Sequence, residues 1–389
     1  MSIFLFSIWT KHQATLHCFS YIIFVHTDRR FDWLRLSRTA TVGPVAFRDL
    51  LARYKTAGAA IDALPTLVRR KGLSIPPLET VEAELEQSEN WGVRIIASCE
   101  PDFPDYLRAV DPAPPLISVK GRVDILHAPC VAIVGSRNAS AIGQRFARQI
   151  ASELGAQGFT IVSGLARGID AAAHEGALNT GTAGVLGGGV DHIYPRQNAE
   201  LFRDMAERGA LISESPLGYK ATARDFPRRN RIISGLCKGV VVIEAAEKSG
   251  TLITARYAME QNREVMAAPG SPLDPRTKGC NRLIQNGAAL IESTDDIIDV
   301  LNHTPPLRVM EPSDGYGQPE FDWQGAQRDI DKARGVIASL LSPTPTSRDE
   351  IIRLSGFPVP IAGAALLEME LCGELHVEPD GRVAIYLGV

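Results

Sequence analysis

Between residues 130 and 302 the chain alternates short, uninterrupted apolar runs with longer stretches whose apolar positions recur at helical spacing. The runs are Val131–Val134, Thr160–Val162, Ala183–Leu186, Leu211–Ile212, Val240–Ile243, Val265–Ala268 and Ala289–Ile291. Strands without an alternating polar face need cover on both sides, and intervening helices of about 10–15 residues supply it. The pattern predicts a Rossmann-like α/β domain over 130–302, a doubly wound and mostly parallel sheet.

The flanks read differently. Residues 28–90 carry Leu34, Leu36, Val45, Phe47, Leu50, Leu51 and Tyr54 at helical spacing, with Val42-Gly43-Pro44 as a tight turn between two short helices. This is a small helical unit, and its turn either presents backbone amides to a phosphate or is a plain helix corner. Residues 76–116 are proline-rich, and 91–129 read as a connector with one short strand at Arg94–Ser98. Residues 303–330 have linker composition.

Residues 331–389 follow winged-helix order: helices near Ala333–Leu341, Arg348–Leu354 and Ile361–Leu371, then a hairpin of Leu375–Glu378 with Val383–Tyr386. The presumed reading helix, AGAALLEMEL at 362–371, has no Lys or Arg and two Glu. A helix that reads DNA needs side chains for phosphates or base edges. Packing or protein contact is therefore expected of it. Residues 1–27 hold two apolar runs broken by Lys11 and His12 and lack the charge, run and cleavage-site order of a signal peptide. They are expected to be a disordered extension.

Charge changes the picture only locally. The 389 residues carry 41 Lys and Arg against 45 Asp and Glu, a net −4, so a uniformly basic nucleic-acid coat is excluded. Gly and Pro make up about 15% of the chain, which implies many tight turns. No CxxC pair occurs among the six cysteines, so neither a metal site nor a dithiol motif is expected, and reduced thiols suit a cytoplasmic protein. No apolar run reaches the ~18 residues of a membrane span.

In an open α/β sheet, ligands bind beyond the carboxyl ends of the strands. The first loop there, Gly135-Ser136-Arg137, leads into a helix whose amino end suits a phosphate. The second, SGLARGID at 163–170, offers Gly164 for close backbone approach, Arg167 as a guanidinium and Asp170 as a helix cap. Gly187-Gly188-Gly189 reads either as a close ligand approach or as a strained turn. Between Lys220 and Lys238, six basic residues face one acid, a local +5. Pro227 suits a first helical turn, so Arg228, Arg229, Asn230 and Arg231 crowd like charge against the helix dipole. That arrangement calls for an anionic partner, and Phe226 beside it offers a stacking face. Ser249-Gly250-Thr251 is another anion-friendly helix start.

Several chemistries are missing. The chain has no GxxxxGK[ST], GxSxG or HExxH, and neither the full GxGxxG nor its ribose acid. His174 and His192 stand without a paired acid and nucleophile, so no catalytic set is identified.

These residues resemble the DNA-processing protein A family (DprA, also called Smf). The likeness runs through VAIVGSR at 131–137, SGLARGIDAAAH at 163–174, GVLGGGVDHIYP at 184–195 and LISE at 211–214. It continues through FPRRNRIISGL at 226–236, VVVIEAAEKSGTLITA at 240–255, APGSP at 268–272 and KGCNRLIQNGA at 278–288. The resemblance implies an N-terminal unit of sterile-alpha-motif type and a winged C-terminal unit. It further implies single-stranded DNA binding during natural transformation, protection of incoming strands, loading of the recombinase RecA, homodimers through the Rossmann-like domain, and no enzymatic activity or cofactor. The DNA pocket it implies uses Ser136, Arg137, Gly164, Arg167, Arg228, Arg229, Asn230, Arg231 and Lys238. An alternative from the enzyme class is a phosphoribohydrolase-like nucleotide-cleaving protein, whose PGGxGTxxE loop is only partly echoed at Glu244–Thr251.

Overall fold

A computed structural model describes residues 30–68, 74–304, 321, 323, 325–378 and 381–385. The expected extension at 1–27 and residues 305–320 of the expected linker fall outside them. The described residues form two compact bodies: one runs from Glu84 to residue 304, and the other joins residues up to Ala83 with those from 321 onward.

The first body is built on a nine-stranded sheet. Its strands are β1 (Val93–Ala97), β2 (Leu116–Gly121), β3 (Cys130–Gly135), β4 (Thr160–Ser163), β5 (Thr182–Val185), β6 (Ala210–Ser213), β7 (Gly239–Ile243), β8 (Glu264–Ala267) and β9 (Ala289–Leu290). Their order is β1-β2-β6-β5-β4-β3-β7-β8-β9. From β6 to β9 every pairing is parallel, while β1 and β2 attach antiparallel. The central strands are apolar throughout because each feeds two cores. In β3, Ala132 and Val134 pack on one face while Val131 and Ile133 pack on the other. In β7, Val240 and Val242 oppose Val241 and Ile243 in the same way. Each buried Val or Ile among them contributes about 1.5–3 kcal/mol by its burial.

Residues 91–129 are more than a connector. Pro112, Pro114 and Pro115 end just before β2, whose Ser118–Gly121 pair with β6. Phe103, Leu107, Ile117, Val119 and Leu126 are buried in the main core. The proline signal hid a strand that begins where the prolines stop.

In the second body, residues 30–38 are helical and are followed by helices Pro44–Tyr54 and Ala57–Leu67. Pro44 occupies the first helical turn, as the Val42-Gly43-Pro44 signal implied. The winged module supplies helices Gln327–Leu340, Arg348–Ser355 and Val359–Leu371, then the antiparallel pair Leu375–Val377 with Val383–Ile385. Helix and sheet order match the sequence reading.

A candidate nucleic-acid interface at the switch point

Strand order reverses at β3, which has β4 on one side and β7 on the other. Loops leaving β3 and β7 diverge there and open a crevice of about 680 Å³. Ser136, Arg137 and Asn138 line it after β3, Ala166 and Asp170 after β4, and Ser249, Gly250 and Thr251 after β7. The helix Asp225–Gly235 adds Phe226, Pro227, Arg229 and Asn230.

Arg229 is the most unusual group in the crevice. It is only 7% exposed, yet its Nε and Nη1 have no hydrogen-bond partner among the described residues. Its guanidinium lies against Gly164, where no side chain could coexist with it. Burial lowers Arg229 to about 10, offset by Asp170 and reinforced by the charge of Arg137, so it remains a cation at neutral pH. Burial likewise raises Asp170, against the pull of Arg229 and of backbone amides at Ala166 and Gly164. A buried cation with free donors is costly until an acceptor reaches it. Crevice chemistry therefore favours an anion.

The helix amino ends are not equivalent. At helix Ala141–Ala156, the Glu244 carboxylate accepts from the Ser140 amide (2.8 Å) and from the Ser140 hydroxyl, which itself accepts from Gly143 N (2.9 Å). That end, offered by the sequence to a phosphate, already holds a carboxylate. Among the described residues helix Thr251–Glu260 holds no carboxylate at its amino end: Thr251 N donates to Ser249 Oγ (3.2 Å), Gly250 and Thr251 line the crevice, and Thr251 Oγ1 donates to the Gly135 carbonyl (2.9 Å).

An aromatic rim completes the crevice. The Arg137 guanidinium sits 5.5 Å from the Phe226 ring centroid, and Phe226 lies 5.4 Å from the half-exposed ring of Tyr194. The segment 219–222 holds Phe226 in place through its neighbour Asp225. Asp225 Oδ2 accepts from Thr222 N (2.7 Å), Thr222 Oγ1 (2.8 Å) and Tyr219 OH (3.0 Å). Gly189 N donates to the Tyr219 carbonyl (2.9 Å), and a side chain at Gly188 would strike that same carbonyl. The three glycines thus admit neighbouring chain, and none of them lines the crevice.

Of the expected site residues, Ser136, Arg137, Phe226, Arg229 and Asn230 line the crevice together. Gly164 is buried beneath Arg229 and serves as its seat. Arg167 and Arg228 are exposed outside the lining. Two others lie apart from the crevice. Arg231 pairs with Glu214 and donates from Nη1 to the Pro112 carbonyl (3.3 Å), because two residues along a helix turn it away from Arg229. Lys238 precedes β7, at the amino end of a strand whose carboxyl end holds the crevice. The helix also starts at Asp225, whose carboxylate suits the dipole and eases the crowding of like charge. Asp170 is no cap: Gly168, with φ at 80°, precedes the helix Ile169–Ala177, and Asp170 accepts from Ala166 N (3.3 Å). Asn138 and Tyr194 line the crevice without having been offered as site residues, and Asp170, expected only as a helix cap, lines it as well.

His174 is fully buried and lowered to about 3 by burial, with Arg229 adding to the effect. Thr182 Oγ1 donates to the Ile161 carbonyl, so His174 Nδ1–H is assigned as donor to that hydroxyl at 2.7 Å. This is a structural imidazole. Among the described residues no cluster of His, Cys, Asp or Glu could hold a metal ion, and no helix is long and apolar enough to cross a membrane.

Comparison with known proteins gives a consistent outcome. The profile of DNA recombination-mediator protein A matches residues 94–302. A DprA-like N-terminal HHH domain matches 27–86, and a DprA winged helix domain matches 324–381. Protein Smf from Synechocystis is 35% identical over 386 residues, covering 90% of this chain and 97% of its own. DNA processing protein A from Streptococcus pneumoniae superimposes with a TM-score of 0.56 at 34% identity, over 66% of this chain and 86% of that one. DNA processing protein A from Helicobacter pylori, solved for its single-stranded DNA binding mode, aligns with a TM-score of 0.50 at 27% identity. It covers 55% of this chain and 96% of its own.

Proposed function

This chain belongs to the DNA recombination-mediator protein A family, and on that premise we propose that its crevice binds single-stranded DNA without cleaving it. Arg229 carries the reading: a buried cation that lines the crevice at the switch point, with two donors that have no partner among the described residues, suits a backbone phosphate. Arg137 stands ready for a second phosphate contact, and the Tyr194–Phe226 rim gives unstacked bases a face to lie on. A duplex hides its base faces, so a stacking rim selects single strands. The likeness to the H. pylori protein supports the same substrate.

In the cell, the protein would act in the cytoplasm on strands taken up in natural transformation. It would shield them and, as a recombination mediator, pass them to RecA. Nucleotide cleavage is the weaker reading, since the loop from Glu244 to Thr251 lacks PGG and its Glu244 carboxylate is engaged by Ser140. The deciding measurement is a titration of labelled single-stranded and matched duplex DNA of equal length. Tighter single-strand binding is expected, and equal affinity for both would defeat the proposal.

A further inference from the structure

In a helix-turn-helix the second helix of the pair enters the major groove. Here that helix is Val359–Leu371, following Arg348–Ser355. From Ile361 to Leu371 none of its residues is exposed. Ile361, Ala362, Ala365, Leu366 and Met369 pack inward against Ile330, Ile337 and Leu375 of the winged module itself. Leu367 and Leu371 belong to a different cluster, with Leu36, Leu50, Leu64 and Val68 of the N-terminal helices. A helix that is apolar all round must be covered all round, and this one is covered from two sources.

The polar contacts follow the same division. Glu368, 2% exposed, accepts from Arg53 Nη1 at 3.0 Å, although the two residues are 315 positions apart. Arg334 of the winged module reaches the same carboxylate at 3.5 Å. Arg53 also donates to Gln327 Oε1 (3.3 Å) and lies 5.3 Å from the Trp323 ring centroid. On the other flank, Arg348 pairs with Asp49. A carboxylate as deep as Glu368 is tolerable only with its cations in place, and one of those cations comes from the far end of the chain.

We propose that the N-terminal helices are the resident partner of the winged module. They cover the helix that would otherwise read a DNA groove, make the two ends of the chain one body, and leave DNA contact to the α/β crevice. The acidic, apolar sequence of that helix is then the sequence of an internal interface. The covering of that helix does not depend on what the crevice binds, whereas the assignment of DNA contact to the crevice rests on the function proposed above.

The test is amide hydrogen exchange on the full chain, followed by peptide. Leu50→Asp places a charge in the shared cluster. Exchange of Val359–Leu371 is expected to accelerate together with Pro44–Tyr54 and Ala57–Leu67, while β3 and β7 keep wild-type protection. Loss of protection in the N-terminal helices with Val359–Leu371 unchanged would overturn the proposal. Arg53→Ala is the milder variant, for which about tenfold faster exchange around Glu368 is expected, equivalent to about 1.4 kcal/mol. Wild-type exchange at Glu368 in Arg53→Ala would equally overturn it. Single-strand affinity is expected to be unchanged in both variants, and a loss in Arg53→Ala would refute the assignment of DNA contact to the crevice alone.

Discussion

The Arg229 guanidinium occupies the space that a side chain at residue 164 would need. The glycine of the β4 loop and the arginine of helix Asp225–Gly235 therefore form one fitted pair 65 residues apart in sequence. Gly164→Ala should push Arg229 out of its seat, at about 1–3 kcal/mol of stability for the overpacking. It should also weaken single-strand binding, since the displaced guanidinium no longer lines the crevice in its present place. Thermal unfolding and a DNA titration on the same sample check both effects.

Arg137 and Arg167 separate the crevice from its surroundings. Arg137→Ala removes a charge-assisted contact worth about 1.5–3 kcal/mol, or roughly 10- to 150-fold in affinity. Arg167→Ala should cost less, because Arg167 is exposed outside the lining. Deleting residues 320–389 should spare single-strand affinity while leaving the cluster around Leu50 uncovered. A truncation that loses binding while Arg137→Ala keeps it would make the winged module the DNA reader.

Salt dependence counts the phosphates. With ~3 phosphates neutralised, fourfold more salt should weaken single-strand binding about 20-fold, from a slope near 0.7 per contact. A plot of log affinity against log salt yields the slope directly. A flat plot would exclude the crevice cations as the source of affinity.

The two bodies should respond to pH with opposite sign. Glu370, raised to about 7 chiefly by burial, holds a proton in the folded state that the unfolded chain has released above its usual 4.5. Stability of the second body should fall as pH rises through that window, by no more than about 3 kcal/mol. His174, lowered to about 3 from 6.5, does the reverse: the unfolded chain binds the extra proton, so the α/β body should weaken as pH falls below about 6.5. Hydrogen exchange at several pH values reads each body separately, and Glu370→Gln should flatten only the first slope.

We also expect two copies to pair through the α/β domain. The edge strand β9 is two residues long and leaves Leu290 half exposed. Sedimentation that finds only the 42.1 kDa monomer at ~10 µM, well above the ~1 µM scale of a modest interface, would exclude this.

How much the sequence disclosed depended on whether a signal was local. Strands β3 and β7 were legible because both of their faces are apolar, and the winged order was legible from helix spacing and the hairpin turn. β2 was not, since Pro112, Pro114 and Pro115 dominate the stretch before it and the partner that joins it to the main sheet, β6, lies about 90 residues later. In the crevice, Arg137, Phe226 and Arg229 stood out as charge and aromatic beside a helix start. Charge counting alone could not tell Arg229 from Arg231, although helical geometry turns them apart. The capping of one helix by Glu244, 104 residues away, left no local trace.

The pairing of Arg53 with Glu368 also has a consequence in time. A ribosome adds about 5–20 residues each second, so 315 residues separate these partners by roughly 15–60 s of synthesis. Through that interval the leucines of the N-terminal helices await Leu367 and Leu371, while the whole α/β sheet emerges between them. Folding of the second body thus closes only after Glu368 has been synthesised. A chain cut short before the winged module leaves the ribosome with its earliest helices uncovered, a surface on which chaperones and proteases act.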